Sequence, residues 1–296
     1  MQRLLILGLL ASWAAPVRPE DDPGIKQTIA YVQKLQTATG GFTSAIPPAN
    51  ARLAPTLRAT SAGVRALHYL GGAAPDKEAA VKFVERCWDE KSGGFSDTPQ
   101  GKTDVFTTAV GLLAVNVLKM PADKYGPGAV KYLADNAKGF EEIRIAAAGL
   151  ESLKVKSPSA KEWLDEVTKM QNADGSFGQG PSQARATGGS MVTILRLGGD
   201  VPNRDAVIKI LKDGQRANGG YGKEDNATAS DMETTYRVLR CFVMLKARPD
   251  NVEGIRSFIA KCRNEDGGYG TAPGEPSSVN GVYFAAIMRH WLDKKD

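Results

Sequence analysis

One short pattern recurs along this chain and constrains its fold more than any other feature. A glycine pair or near-pair followed by an aromatic occurs as GGF at Gly40 to Phe42 and at Gly93 to Phe95, GSF at Gly175 to Phe177, and GGY at Gly219 to Tyr221 and at Gly267 to Tyr269. A degenerate copy, KGF, lies at Lys138 to Phe140. At intervals of 37 to 53 residues, the aromatics mark one supersecondary unit copied along the chain.

The unit reads as helix, turn, helix. Before each turn runs an amphipathic segment such as DKEAAVKFVERCW or RDAVIKILKDGQ, the second placing Val207, Ile208, Ile210 and Leu211 on one face at helical spacing. After each turn comes a segment richer in small and apolar residues, such as DVFTTAVGLLAVNVL or VNGVYFAAIMRHWL. A helix that stops and reverses wants a left-handed residue at its end, which glycine supplies without steric strain. Three turns carry the fuller pattern QxxxGx(F/Y), from Gln36, Gln171 and Gln215. A glutamine amide in that place can hydrogen-bond the exposed end of an adjacent helix and tie unit to unit.

Six such pairs, the second helices much less polar than the first, predict an all-α fold: a single α/α toroid of six helical hairpins over residues 23–296, with the second helices as inner ring and the first as outer ring. A chain of 296 residues that is 42% hydrophobic can fill such a core, and no linker-like stretch interrupts the series between Gly24 and Asp293. The formal charge of +5 is spread along the chain rather than massed, which argues against nucleic acid as a partner. Residues 1–22 carry Arg3, an apolar run from Leu4 to Leu10 and small residues from Ala11 to Ala15, the layout of a secretory signal peptide followed by a short tail. The expectation is therefore export, to a periplasm or the outside, with no stable membrane span. Asn226 begins an NAT glycosylation signal, and Cys87, Cys241 and Cys262 are too few for a disulfide framework and read as buried small side chains.

Two stretches, VERCWDEKSGGFSDTPQGKTDVFTT and IRSFIAKCRNEDGGYGTAPGEPSSVNGVYF, resemble the β subunits of protein geranylgeranyl transferases, and the QxxxGx-aromatic turn resembles the repeat of the triterpene cyclases. Both groups are α/α toroids. The prenyltransferase resemblance implies a catalytic zinc held by an Asp-x-Cys pair at the start of one inner helix and a His at the start of the next. The matching stretch, SDMETTYRV, offers Asp231 and Glu233, the expected His falls at Gly281, and Thr107 stands where a similar stretch carries His. The zinc set is thus incomplete: Asp231 is left as a metal ligand, and Asp231 with Glu233 as the candidate catalytic pair. The only histidines, His68 and His290, lie near the far ends of inner helices and read as helix-end or packing residues.

The resemblance also implies a basic barrel mouth for a diphosphate, for which Lys223, Arg185 and Arg144 are the candidates, and an apolar wall for an isoprenoid, drawn from Phe106, Tyr236, Phe242, Tyr283 and Phe284. The Asp-x-Asp-Asp cluster of the cyclases does not occur after the leader. These readings favour an exported prenyltransferase β-subunit-like toroid that binds an isoprenoid, another apolar small molecule or a protein partner, without the zinc chemistry. Two alternatives stand beside it. One is an active prenyltransferase with a changed metal site on Asp231 and Glu233. The other is a carbohydrate-active enzyme with two facing carboxyl groups from among Asp104, Glu141 or Glu142, Asp231 and Glu233. Acids in the first turn of a helix also serve simply as caps.

Overall fold

Twelve α-helices alternate between two rings in the computed structural model, which describes residues 23–224 and 229–294; the leader segment and Asn226 lie outside them. The outer helices are α1 (Pro23–Gln33), α3 (Lys77–Arg86), α5 (Ala122–Asn136), α7 (Ala160–Thr168), α9 (Arg204–Asp213) and α11 (Val252–Lys261). The inner helices are α2 (Leu57–Leu70), α4 (Val105–Leu118), α6 (Gly139–Ser152), α8 (Gln183–Arg196), α10 (Met232–Met244) and α12 (Val279–Asp293). Each inner helix packs against the next, and α12 packs against α2, so the inner ring is closed. Closure is reinforced where the last unit meets the first: the Val279 amide donates to the Ser44 carbonyl at 2.8 Å, and Gln27 of α1 donates to the Glu265 carbonyl at 2.8 Å.

The turns do the work that joins one hairpin to the next. Gln36 Nε2 donates to the Gly40 carbonyl at 3.1 Å and to the Asp76 carbonyl at 2.7 Å, while its Oε1 accepts from the Asp76 amide at 2.9 Å. Asp76 caps the next outer helix, α3, with its side chain accepting from the Ala79 amide. Gln215 repeats the arrangement on Asn251, the residue capping α11, with bonds of 2.8 and 3.3 Å. The glycine that opens the turn has a second duty besides its backbone conformation. At Gly219, with φ of 91°, an added Cβ would overlap the carbonyl oxygen of Gly254 in the next outer helix. Any side chain here would push the units apart.

The aromatics that follow are almost wholly buried: Phe42, Phe95, Phe177, Tyr221 and Tyr269 are 0 to 3% exposed. Four of them share a bond that the spacing does not reveal. The amides of Phe42, Phe95, Phe177 and Tyr221 donate to the hydroxyls of Thr60, Thr108, Thr187 and Thr235 at 2.9 to 3.0 Å, so each turn is hooked to the inner helix that follows it. A backbone N–H buried among apolar rings needs an acceptor, and threonine brings one without a charge.

The degenerate copy departs from the pattern. Gly139 and Phe140 open α6 itself, two residues after α5 ends, and Phe140 is only half-buried. Without the glutamine and the first glycine, the turn shortens to Ala137 and Lys138, and Gly139, with φ of 67°, supplies the left-handed residue as the chain passes from α5 to α6. All three cysteines are buried and free, each thiol pushed up to about 12 by burial. Among the described residues no helix is long and apolar enough to cross a membrane.

Candidate functional site

The inner helices enclose a cavity of about 760 Å³ whose lining runs the length of the ring, from Asp231, Glu233 and Asn280 in first turns to His68, Asn116 and Ser152 near the opposite ends. Of the residues anticipated from the sequence, Lys223, Arg144, Asp231, Glu233, Tyr236, Tyr283 and Phe284 line it. Arg185, Phe106 and Phe242 do not. Arg185 reaches Glu233 from α8, Phe106 lies under the guanidinium of Arg58 at 6.0 Å, and Phe242 is 1% exposed within the core. Helix α4 is apolar on most faces, so periodicity alone does not fix whether Phe106 turns toward the axis.

At the end where the inner helices begin, the carboxylates are already engaged. Asp231 caps α10: Oδ1 accepts from the Thr234 amide at 2.7 Å and Oδ2 from the Thr234 hydroxyl at 2.8 Å. Asp104 caps α4 in the same way through the Thr107 amide at 2.7 Å and also meets Arg58 at 3.3 Å. Glu233 Oε1 accepts from Arg237 at 2.6 Å and from Arg185 at 3.3 Å. Arg237 extends the chain of charges by gripping Glu141 in bidentate fashion at 2.7 and 3.0 Å, and Arg144 adds a bond to the same carboxylate at 2.9 Å. Glu142 accepts from the Lys138 amide at the start of α6. The result is a run of alternating charge, Arg185–Glu233–Arg237–Glu141–Arg144, stitched across α8, α10 and α6.

Nothing in this arrangement fits the zinc ion that the sequence resemblance implies. Zinc wants a set of thiolate, imidazole or carboxylate donors converging on one point. Here Asp231 spends both oxygens on its helix, Glu233 lies against two guanidinium groups, and no thiol or imidazole joins them. Among the described residues no group of three or more His, Cys, Asp or Glu side chains could hold a metal ion. Gly281 closes the remaining position, because a Cβ there would overlap the Tyr269 carbonyl oxygen. Asp231, expected as a metal ligand, caps α10 with both carboxylate oxygens in this structure. Thr107 is likewise committed, its hydroxyl donating to the Phe95 carbonyl at 2.7 Å.

Farther along the cavity stand residues that sequence reasoning did not single out: Arg65, Glu151, Arg196 and Arg240. Arg196 Nε and Arg240 Nη2 both donate to Oε2 of Glu151, at 2.8 and 3.2 Å. Arg65 lies over the ring of Tyr283 at 4.1 Å, and Arg240 over Trp291 at 5.4 Å. Tyr69, Tyr236, Tyr283, Phe284 and Trp291 form a continuous aromatic group, Tyr236 stacking on Trp291 at 5.5 Å and meeting Phe284 at 5.2 Å. Burial pushes the Tyr236 phenol up, yet the charges of Arg196, Arg240 and Arg65 and a hydrogen bond with Tyr283 more than reverse this and hold it below the ordinary range. Burial raises Tyr283. His290 rests against Tyr69 at 5.2 Å, and burial together with Lys294 and His68 lowers its pKa. One signal could have found this group: arginines within otherwise apolar inner segments, as in TSAGVRALHYL and TTYRVLRCFVML.

The sequence matches the family model described as "Prenyltransferase alpha-alpha toroid domain" over residues 63–142 and 142–294. Protein geranylgeranyltransferase-I of Candida albicans, complexed with GGPP, is similar in structure with a TM-score of 0.70 at 11% identity, covering 90% of this chain and 90% of that one. The type II terpene cyclase MstE from Scytonema gives a TM-score of 0.64 at 11% identity over 94% of this chain and 98% of the other. A glycosidase in complex with glucose gives 0.58 at 12% identity, over 91% and 96%. At such identities the likeness establishes the fold alone. No curated protein matches the sequence.

Proposed function

The chain belongs to the prenyltransferase alpha-alpha toroid family, and from that premise we propose that it binds a small amphiphilic molecule in its inner cavity and does not carry out zinc-dependent prenyl transfer. The observation that carries this reading is the state of the first turns of the inner helices. Where the family resemblance expects metal ligands stand a capping aspartate, an Arg–Glu–Arg network and a glycine pressed against the backbone. The cavity behind them remains large, in the range of small-molecule sites, and is walled by aromatics. An isoprenoid-binding neighbour supports a cavity of this kind, but a purely hydrocarbon tail running its full length would lie against Arg65, Arg196 and Arg240. An amphiphile suits these walls better.

The transferase alternative lacks its metal ligands. The sugar-enzyme alternative needs one carboxyl group able to give a proton and another able to receive it, whereas Glu141, Glu151 and Glu233 are each held by arginine and Glu142 by a backbone amide. Export through residues 1–22 is part of the same proposal, and the mass of the mature chain tests it.

The deciding measurement is native mass spectrometry with metal analysis on protein purified from its natural host without chelator. The expected result is a one-to-one organic adduct and no stoichiometric zinc. Stoichiometric zinc that Asp231→Ala removes would overturn the reading in favour of a transferase, and a bare polypeptide would overturn it in favour of a scaffold.

A further inference from the structure

Resting on that reading of the cavity, we propose that its far half, toward the C-terminal ends of the inner helices, is an oxyanion site. Arg65, Arg196 and Arg240 there receive the carboxylate or phosphate group of the amphiphile, while Tyr69, Tyr236 and Phe284 wall its apolar body.

The charge balance is the first support. Three guanidinium groups from α2, α8 and α10 face one carboxylate, Glu151, which meets Arg196 and Arg240 through the same oxygen. Arg65 forms no ion pair among the described residues; its Nε donates to the Ser61 carbonyl at 3.0 Å. The Nε of Arg240 is buried with no hydrogen-bond partner among the described residues. A guanidinium N–H withdrawn from water without an acceptor is unfavourable, and a ligand oxyanion supplies what is missing. At the cavity's other end the Nε of Arg185 is also buried without a partner, but Arg185, Arg237 and Arg144 each meet a carboxylate of Glu233 or Glu141, whereas Arg65 meets none among the described residues.

The second support is Tyr236. Arg196, Arg240 and Arg65 all act on its buried phenol, and with the Tyr283 hydrogen bond they outweigh the effect of burial there, although burial still raises the neighbouring Tyr283. A ligand oxyanion placed there would be stabilised by the same field. A plainer account, that arginines near helix C-termini offset the helix dipole, covers Arg196, the last residue of α8. It does not cover Arg65 and Arg240, which stand before the final turns of α2 and α10. The ligand is thus held head-first at the end opposite the mouth where the resemblance places a diphosphate.

Calorimetric titration of the full chain with decanoate, decyl phosphate and decanol tests this, because the three probes share a tail and differ in the head. The expected result is that an anion binds at least about tenfold more tightly than decanol, as one charge-assisted hydrogen bond would give. Arg65→Met should erase that preference and leave decanol binding intact. Whichever of decanoate and decyl phosphate is preferred identifies the head group. Equal binding of all three probes, or loss of the preference in Lys223→Met rather than Arg65→Met, would overturn the oxyanion site while sparing the cavity reading. No binding of any probe would overturn both. Arg240→Met is a second test of the same head site. Arg65→Met carries the result if that variant does not fold, since Arg65 breaks no ion pair when replaced.

Discussion

Arg237 holds Glu141 by two parallel hydrogen bonds, Nη1 to Oε1 at 2.7 Å and Nη2 to Oε2 at 3.0 Å, joining α10 to α6 across 96 residues of sequence. Arg237 is 7% exposed, and it holds Glu233 as well. Replacing it by methionine would keep much of the packing but leave both glutamates beside the cavity with fewer partners. Breaking a fully buried pair from one side is worth ~3–5 kcal/mol; because both glutamates stay partly wet, Arg237→Met should destabilise by about 2 kcal/mol. Urea unfolding measures this, and a change indistinguishable from zero would mean that the network is not holding the two helices.

The same pair sets an acid limit. Burial by itself would raise the Glu141 carboxyl, but the Arg237 hydrogen bonds and the charges of Arg144 and Arg237 outweigh it and bring the pKa from 4.5 down to about 2. A folded value below the unfolded one gives stabilisation that is fully present above the unfolded pKa and lost as pH falls through the folded value. Glu141→Gln should therefore be less stable than the parent at pH 7, with the gap narrowing between about pH 4.5 and pH 2. Unfolding midpoints recorded across that range check the claim; a gap that stays constant with pH contradicts it.

The Gly-aromatic turns were readable because each is local. Gln36, Gly40 and Phe42 lie within one short stretch, and the unit they build repeats. Their threonine partners were not readable, since the separation varies from 10 residues at Thr187 to 18 at Thr60 and threonine is common in such segments. The site divided in a similar way. Asp231 and Glu233 stood out by their place in the motif, yet what each carboxylate does depends on Thr234, Arg185 and Arg237, and the arginine of α8 reaches its partner only through ring packing. Phe106 was misplaced because α4 is apolar all round and does not show in its sequence which face meets the axis, whereas Phe242 lies on the amphipathic α10 and packs into the core.

The threonine hooks give a stability test independent of the site. In Thr108→Val the shape is kept, but the buried Phe95 amide loses its only acceptor. Leaving such a donor unsatisfied is worth about 1–3 kcal/mol. Thr235→Val should show a similar loss at Tyr221, and because α4 and α10 are not neighbours in the ring, the two losses should add. Thermal or urea unfolding of the two single variants and the double variant measures this. Wild-type stability in Thr108→Val would mean that the hydroxyl is not what anchors the turn.

Restoring the ligands that the resemblance implies should fail to restore zinc. In a Glu233→Cys, Gly281→His double variant, Asp231 would still hand both its oxygens to Thr234, and Arg185 would have lost its carboxylate while Arg237, still held by Glu141, would stand as positive charge beside the metal position. The imidazole at 281 has no room to stand, because its Cβ would meet the carbonyls of Tyr269 and Gly270. Gly281→His alone should therefore reduce stability by about 3 kcal/mol or more, or prevent folding. Glu233→Cys folds independently of that clash and gives a second readout: it should take up no stoichiometric zinc after dialysis. Retention of one zinc per chain by either variant would show that the first turns of α10 and α12 can open into a metal site, and that the arginine network covers a zinc centre instead of replacing one.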